Sequence, residues 1–164
     1  MRANLELSAD ERIAWEFYNQ SRDHYFITTE LAEAAMLDAG VVVPGWQRTQ
    51  FNFKVRPVGD SRGDAACRFY GTPGISLNSH FYTINAAECA IVKADPSWLY
   101  EGLAFNADAP VAGDCPPDRV PVTRLYNNGG TGEVSHRYVT SHSEVRELGQ
   151  RGWIVEGPVF CAIP

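Results

Sequence analysis

Short aromatic runs, each alternating apolar with polar positions, recur three times along the chain. The clearest set is Cys67-Arg68-Phe69-Tyr70-Gly71, then Ser79-His80-Phe81-Tyr82-Thr83, then Trp98-Leu99-Tyr100-Glu101-Gly102-Leu103-Ala104-Phe105. Period-two runs bounded by Gly, Pro and Asn predict strands joined by turns. The upstream set is Trp15 to Tyr18, His24 to Thr28, and Trp46 to Phe53; the downstream set is Arg124 to Asn127, Ser135 to Tyr138, and Trp153 to Phe160. Between the second run and the tryptophan the period changes to helical. Asn85 and Ser141 each stand three residues before a glutamate, Glu88 or Glu144, as an N-cap and its partner do. In the first set Thr29 takes the cap's place, and Leu31, Ala34 or Ala35, and Met36 are available to one helix face. Gly40, Asp95-Pro96 and Gly152 stop the three helices. Each unit therefore reads strand–strand–helix–strand.

Equal spacing supports a repeat. The histidines lie 80 − 24 = 56 and 136 − 80 = 56 residues apart, and the tryptophans 98 − 46 = 52 and 153 − 98 = 55. Units of this size do not close a core singly. The expected fold is α+β: one domain over residues 1–164, with three pseudo-symmetric repeats at about 12–57, 66–110 and 121–164. Their strands are expected to form one closed antiparallel β core with helices outside it; a β-trefoil-like or small propeller-like arrangement is the alternative. Complementary charges suggest that the opening and closing strands of a unit are neighbours, through Arg68–Glu101 and Arg124–Glu156. In the first unit the sign reverses, with Glu16 at the arginine's position and Arg48 near the glutamate's, a pairing that needs a bulge.

Composition narrows the function classes. With 164 residues and 45% hydrophobic content, the chain can bury one sizeable core. A net charge of −6 without a Lys/Arg run argues against nucleic acid or an anionic membrane as partner. No apolar run approaches the roughly 18 residues of a membrane span. Met1 to Glu6 is polar and lacks a signal-peptide core, so any export signal is expected outside this sequence. Four cysteines without metal-site spacing allow three pairings. Cys67–Cys89, joining strand to helix in the second unit, and Cys115–Cys161, closing the third, are favoured. Such bridges imply an oxidising compartment, secreted or periplasmic; four buried thiols are the alternative.

The signature of Phe-Tyr, His-Phe-Tyr-Thr, a capped helix and Trp-x-Tyr-Glu-Gly-x-Ala-Phe resembles a family of tandem repeats of uncharacterised function in secreted bacterial and some fungal proteins. The resemblance covers residues 14 to 164. It implies secretion and an accessory binding role beside an attached extracellular domain, since members are commonly joined to exported hydrolases. The third unit departs by having Arg137 in place of an aromatic, and the first by having Thr49 and Gln50 in place of Glu-Gly.

Several residues invite a chemical reading beside a structural one. His24, His80 and His136 at one repeated position would meet at a pseudo-threefold axis as a three-histidine zinc site, or each imidazole would simply bridge backbone groups. Tyr18, Tyr70 and Tyr126, with Asn19, Asn127 and Asn128, would stack on sugar rings and bond their hydroxyls, or would be core. Glu101 and Glu156 would serve as a glycosidase acid and base, or would be ion-paired. Arg62-Gly63-Asp64 matches an adhesion tripeptide that also arises by chance. No nucleophile motif, metalloprotease motif or phosphate loop is present. The expected function is a non-catalytic extracellular module that binds carbohydrate or another cell-surface polymer, without a cofactor. The alternatives are a secreted hydrolase with a site at a repeat junction and a protein-adhesion module.

Overall fold

A computed structural model describes residues 7–72, 79–128 and 134–164. The long hairpin loops expected in the second and third units lie partly outside these residues. The first unit comprises β1 (Arg12–Asn19), β2 (His24–Thr28), α1 (Leu31–Ala39) and β3 (Trp46–Val55). The second comprises β4 (Asp64–Gly71), β5 (His80–Thr83), α2 (Ala86–Ala94) and β6 (Trp98–Ala107). The third comprises β7 (Val120–Tyr126), β8 (His136–Val139), α3 (His142–Gln150) and β9 (Ile154–Ala162). Each unit folds into its own antiparallel sheet with the opening strand in the middle, in the orders β2-β1-β3, β5-β4-β6 and β8-β7-β9.

The mostly β architecture with three short helices fits an α+β class, but the sheets form no closed barrel. Among the described residues the backbones of different units pair through isolated bridges, Arg56 to Asn106, Asp108 to Cys161 and Lys54 to Ile163, one for each pair of units. Within each sheet the opening and closing strands carry register shifts, among them those between Trp15 and Phe17, between Arg68 and Phe69, and between Arg124 and Leu125, where a bulge increases the local twist. Gly102 and Gly157 meet the second and third of these with φ of 98° and 89°, a backbone that side chains resist.

What the sheets share is a core. Phe53, Phe105 and Phe160, one from each closing strand, meet with Phe160 centred 5.8 Å from Phe53 and 5.4 Å from Phe105. Two smaller clusters lie under the later helices: Phe69 and Phe81 beside Cys67 and Cys89, and Leu125 and Val139 beside Leu148. Two disulfides join Cys67 to Cys89 and Cys115 to Cys161. They fit an oxidising compartment.

Asn85 Oδ1 accepts the Glu88 N–H and Ser141 Oγ that of Glu144, so α2 and α3 start where the pattern places them. In α1 the cap position falls on Glu30, which makes no side-chain cap bond, while Thr29 Oγ1 donates across to the Ala104 carbonyl of the second unit. The buried face is accordingly Ala34 and Leu37, and Leu31 and Met36 point outward. One residue of offset turns a helix by about 100°, enough to exchange these faces. No helix among the described residues is long and apolar enough to cross a membrane.

Candidate functional site

Strand register defines the equivalent positions, and it corrects one of them. Tyr18, Tyr70 and Tyr126 on the opening strands face Tyr25, His80 and His136 respectively. The first unit therefore has a tyrosine where the others have histidine, and His24 falls in the row of Ser79 and Ser135. The register-equivalent residues Tyr25 and His80 lie 80 − 25 = 55 residues apart, and His24 matches the 56-residue spacing because it stands one residue before Tyr25, one step out of register. The described residues contain no cluster of three His, Cys, Asp or Glu side chains that could hold a metal ion.

Each junction between units is built from the same set of positions. At the first, Arg68 of β4 reaches back to Glu33 on α1, Nη1 to Oε1 at 2.9 Å, and holds Glu101 of its own unit at 3.2 Å through Nε, while lying over the Phe26 ring at 5.6 Å. At the second, Arg124 bonds Glu88 on α2 at 2.9 Å and Glu156 at 2.7 Å and lies 4.5 Å over Phe81. The third junction, joining the third unit to the first, inverts the pattern. Glu16 stands where the arginine should be, and Arg137 where the phenylalanine should be. Arg137 bonds Glu16 through Nε and Nη2, both at 3.0 Å, and through Nη1 bonds Glu144 on α3. The anomalous Arg137 of the repeat signature is thus the complement of the anomalous Glu16. Glu16 does not pair with Arg48; its second partner is the Thr49 hydroxyl at 2.7 Å, and Arg48 bonds Asp38 while covering Trp15.

Hydroxyls follow the same circuit. Tyr138 accepts the Tyr82 N–H at 2.7 Å and donates to the Tyr82 carbonyl at 3.0 Å, and Tyr82 donates to the Ile27 carbonyl. Ile27 occupies the equivalent place in the first unit, where no hydroxyl is available to continue the series.

The first junction opens into a groove of about 370 Å³. The first unit contributes Met36, Val43 and Trp46 to its lining together with Arg22, His24 and Glu33, and the second unit contributes Tyr70, His80 and Glu101. Glu101 also lines a second cavity of about 240 Å³, which is bordered by Thr29, Arg68, Leu103 and Phe105. His80 Nε2 lies 3.6 Å from Glu101, yet burial, reinforced by the Arg68 charge, pushes the imidazole down to about 3 and keeps it neutral. Burial also raises the Glu101 carboxyl above its usual value, against the pull of Arg68.

The model of a family described as a domain of unknown function (DUF5648) matches residues 12–163. The chain belongs to this family. Since one match spans all three units, the DUF5648 domain is the whole triplet rather than a single repeat. No curated protein and no solved structure matches the chain.

Within this DUF5648 domain the residues first considered for sugar contact separate. Tyr70 borders the groove, with its ring 5.0 Å from His80. Tyr126 stacks on His136 at 5.3 Å, and Tyr18 lies tilted against Tyr25 at 4.7 Å with its hydroxyl bonded to Asp23. Asn19 and Asn127 are buried and hold their own hairpins, Asn19 Oδ1 accepting from Ser21 Oγ and Asn127 Oδ1 from the Ser135 N–H. Asn128 is exposed at a φ of 55°. Glu101 and Glu156 serve separate junctions and do not face each other as an acid–base pair. The Arg62 guanidinium is bonded to Asp60 and Asp10, Gly63 abuts the Ala107 carbonyl, and Asp64 opens β4 opposite Ala107, so the adhesion-like tripeptide is fixed where the connector enters the sheet. The groove residues not expected as site residues from the sequence include Trp46, Glu33 and Arg22. The recurrence of Trp46 was visible but read as an element of the fold, and Glu33 escaped because the cap was placed on Thr29 and not on Glu30, three residues before it.

Proposed function

We propose that the chain is a non-catalytic extracellular module that binds carbohydrate in the groove between its first and second units. The observation carrying this reading is that one groove is lined both by the apolar side chains of Trp46 and Met36 and by the polar groups of Tyr70, Glu33 and Glu101. A pyranose presents a C–H face that packs on an aromatic ring and equatorial hydroxyls that donate to carboxylates. A groove of about 370 Å³ lies within the size range of small-molecule sites. Both carboxylates are held by Arg68 and His80 is neutral, an arrangement suited to accepting hydroxyls and lacking a free nucleophile–base pair. The disulfides favour secretion, where an attached extracellular domain would gain a surface anchor.

One observation favours the hydrolase alternative at the same junction: the raised Glu101 carboxyl resembles a general acid. Retention on insoluble chitin, cellulose and peptidoglycan, with a glycan array and an assay for released sugars, separates the readings. Retention without release is expected, falling at least tenfold in Trp46→Ala. Uniformly blank binding removes carbohydrate and leaves a protein-adhesion role; released sugars establish the hydrolase.

A further inference from the structure

We infer that the junction between the second and third units is a second carbohydrate site of the same class, and that the third junction is not a site. This rests on the groove reading above. Five positions define the first groove: Trp46, Tyr70, His80, Glu33 and Glu101. Carried through strand register and helix start, they fall on Trp98, Tyr126, His136, Glu88 and Glu156, identical residue types throughout. The second set is assembled in space. Trp98 lies 6.1 Å and Tyr126 5.3 Å from the His136 ring, His136 Nε2 is 4.0 Å from Glu156, and Arg124 ties Glu156 to Glu88. Met36 of the first wall is replaced by the equally apolar Ile91, which is 72% exposed.

Recurrence for folding alone would give the same residues at all three junctions. It does not. The third junction keeps Trp153, Tyr18 and Glu144 but has Tyr25 for the histidine, Thr49 for the second glutamate and Glu147 for the apolar helix residue. There Arg137 lies 4.2 Å over the Tyr25 ring and 5.1 Å over Phe51, placing a charge against the aromatic wall. Two units therefore pack together without the imidazole, so that group exceeds what packing needs at the first two junctions, whereas the second carboxylate accompanies the arginine it pairs with, Glu101 with Arg68 and Glu156 with Arg124. The two sites also differ in a polar group beside the imidazole. Where the first has His24, the second has Ser79, whose Oγ accepts the His136 N–H and contacts His136 Nδ1, each at 3.2 Å. Two unequal affinities follow.

The four tryptophans provide one reporter per location, Trp46, Trp98 and Trp153 at the junctions and Trp15 away from the tryptophan–tyrosine pairs. The unmodified protein is titrated with chitotetraose and with cellotetraose while its four indole N–H resonances, assigned with single Trp→Phe variants, are followed. With at least one sugar, Trp46 and Trp98 are expected to shift along separate isotherms totalling two equivalents, while Trp153 stays fixed. Trp98→Phe should reduce the stoichiometry from two to one and leave the Trp46 isotherm unchanged. A shift at Trp46 alone overturns the second site and leaves the groove reading standing. A shift at Trp153 overturns the exclusion of the third junction. A Trp46 resonance indifferent to both sugars overturns the groove reading and the inference with it.

Discussion

Exchanging the charges at the third junction tests whether the chain closes on itself as described. Glu16 and Arg137 are each 3% exposed and joined by two bonds of 3.0 Å, so Arg137→Ala strands a buried carboxylate with only the Thr49 hydroxyl as partner. Removing one partner of such a pair costs about 3–5 kcal/mol. For a chain of this length that lowers Tm by about 6–20 °C, at about 2–4 °C per kcal/mol. Glu16→Arg alone should be at least as damaging, because it faces two guanidinium groups towards each other. The combination of Glu16→Arg with Arg137→Phe recreates the arrangement of Arg68 over Phe26 and of Arg124 over Phe81, with Glu144 taking the role of Glu33 and Glu88. At least 2 kcal/mol of about 3–5 kcal/mol should return. Adding Thr49→Glu, which supplies the counterpart of Glu101 and Glu156, should recover more. Urea unfolding followed by tryptophan fluorescence gives the coupling energy of the cycle. A double variant no more stable than the sum of its singles would refute the equivalence of the three junctions.

Acid should destabilise the fold through its neutral imidazoles. His80 and His136 are both pushed down to about 3 chiefly by burial, whereas an unfolded histidine protonates near 6.5. Between those values the unfolded state binds more protons, so stability falls as pH drops below about 6.5, at up to about 1.4 kcal/mol per pH unit for each histidine. Urea midpoints between pH 7 and 4 should show a shallower slope for His136→Gln, and equal slopes would count against buried neutrality. Opening the Cys67–Cys89 and Cys115–Cys161 bridges, which span 22 and 46 residues, should cost about 3 and about 4 kcal/mol by loop closure. Hydrogen exchange after reduction should show the second and third units losing protection before the first; loss beginning in the first would contradict this. Tyr138→Phe removes a hydroxyl that serves both the N–H and the carbonyl of Tyr82, and should cost about 1–3 kcal/mol in thermal or urea unfolding.

Much of the unit was legible because its signals are local. The alternation around Phe69 and Phe81, the caps Asn85 and Ser141, and the stop at Gly40 each depend on neighbours in the chain, and the sheets and helices follow them. The adjacency of opening and closing strands was likewise readable from Arg68 with Glu101 and Arg124 with Glu156. What escaped was relational. His24 matched in spacing but not in register, because it stands one residue before Tyr25, the register equivalent of His80. Glu16 and Arg137 looked like two independent departures, and only a contact across 121 residues shows that they form one exchange. The groove escaped for the same reason: Trp46 and Glu33 come from one unit and Tyr70 and Glu101 from the next, so no single repeat contains it.

The most direct measurement is a crystal structure of the unmodified protein grown with whichever of chitotetraose or cellotetraose binds in solution. Binding at the unit junctions is expected to place a pyranose ring on the Trp46 face, with its hydroxyls within hydrogen-bonding distance of Glu33 or Glu101. A saccharide seated elsewhere, with the Trp46 face bare, would contradict it.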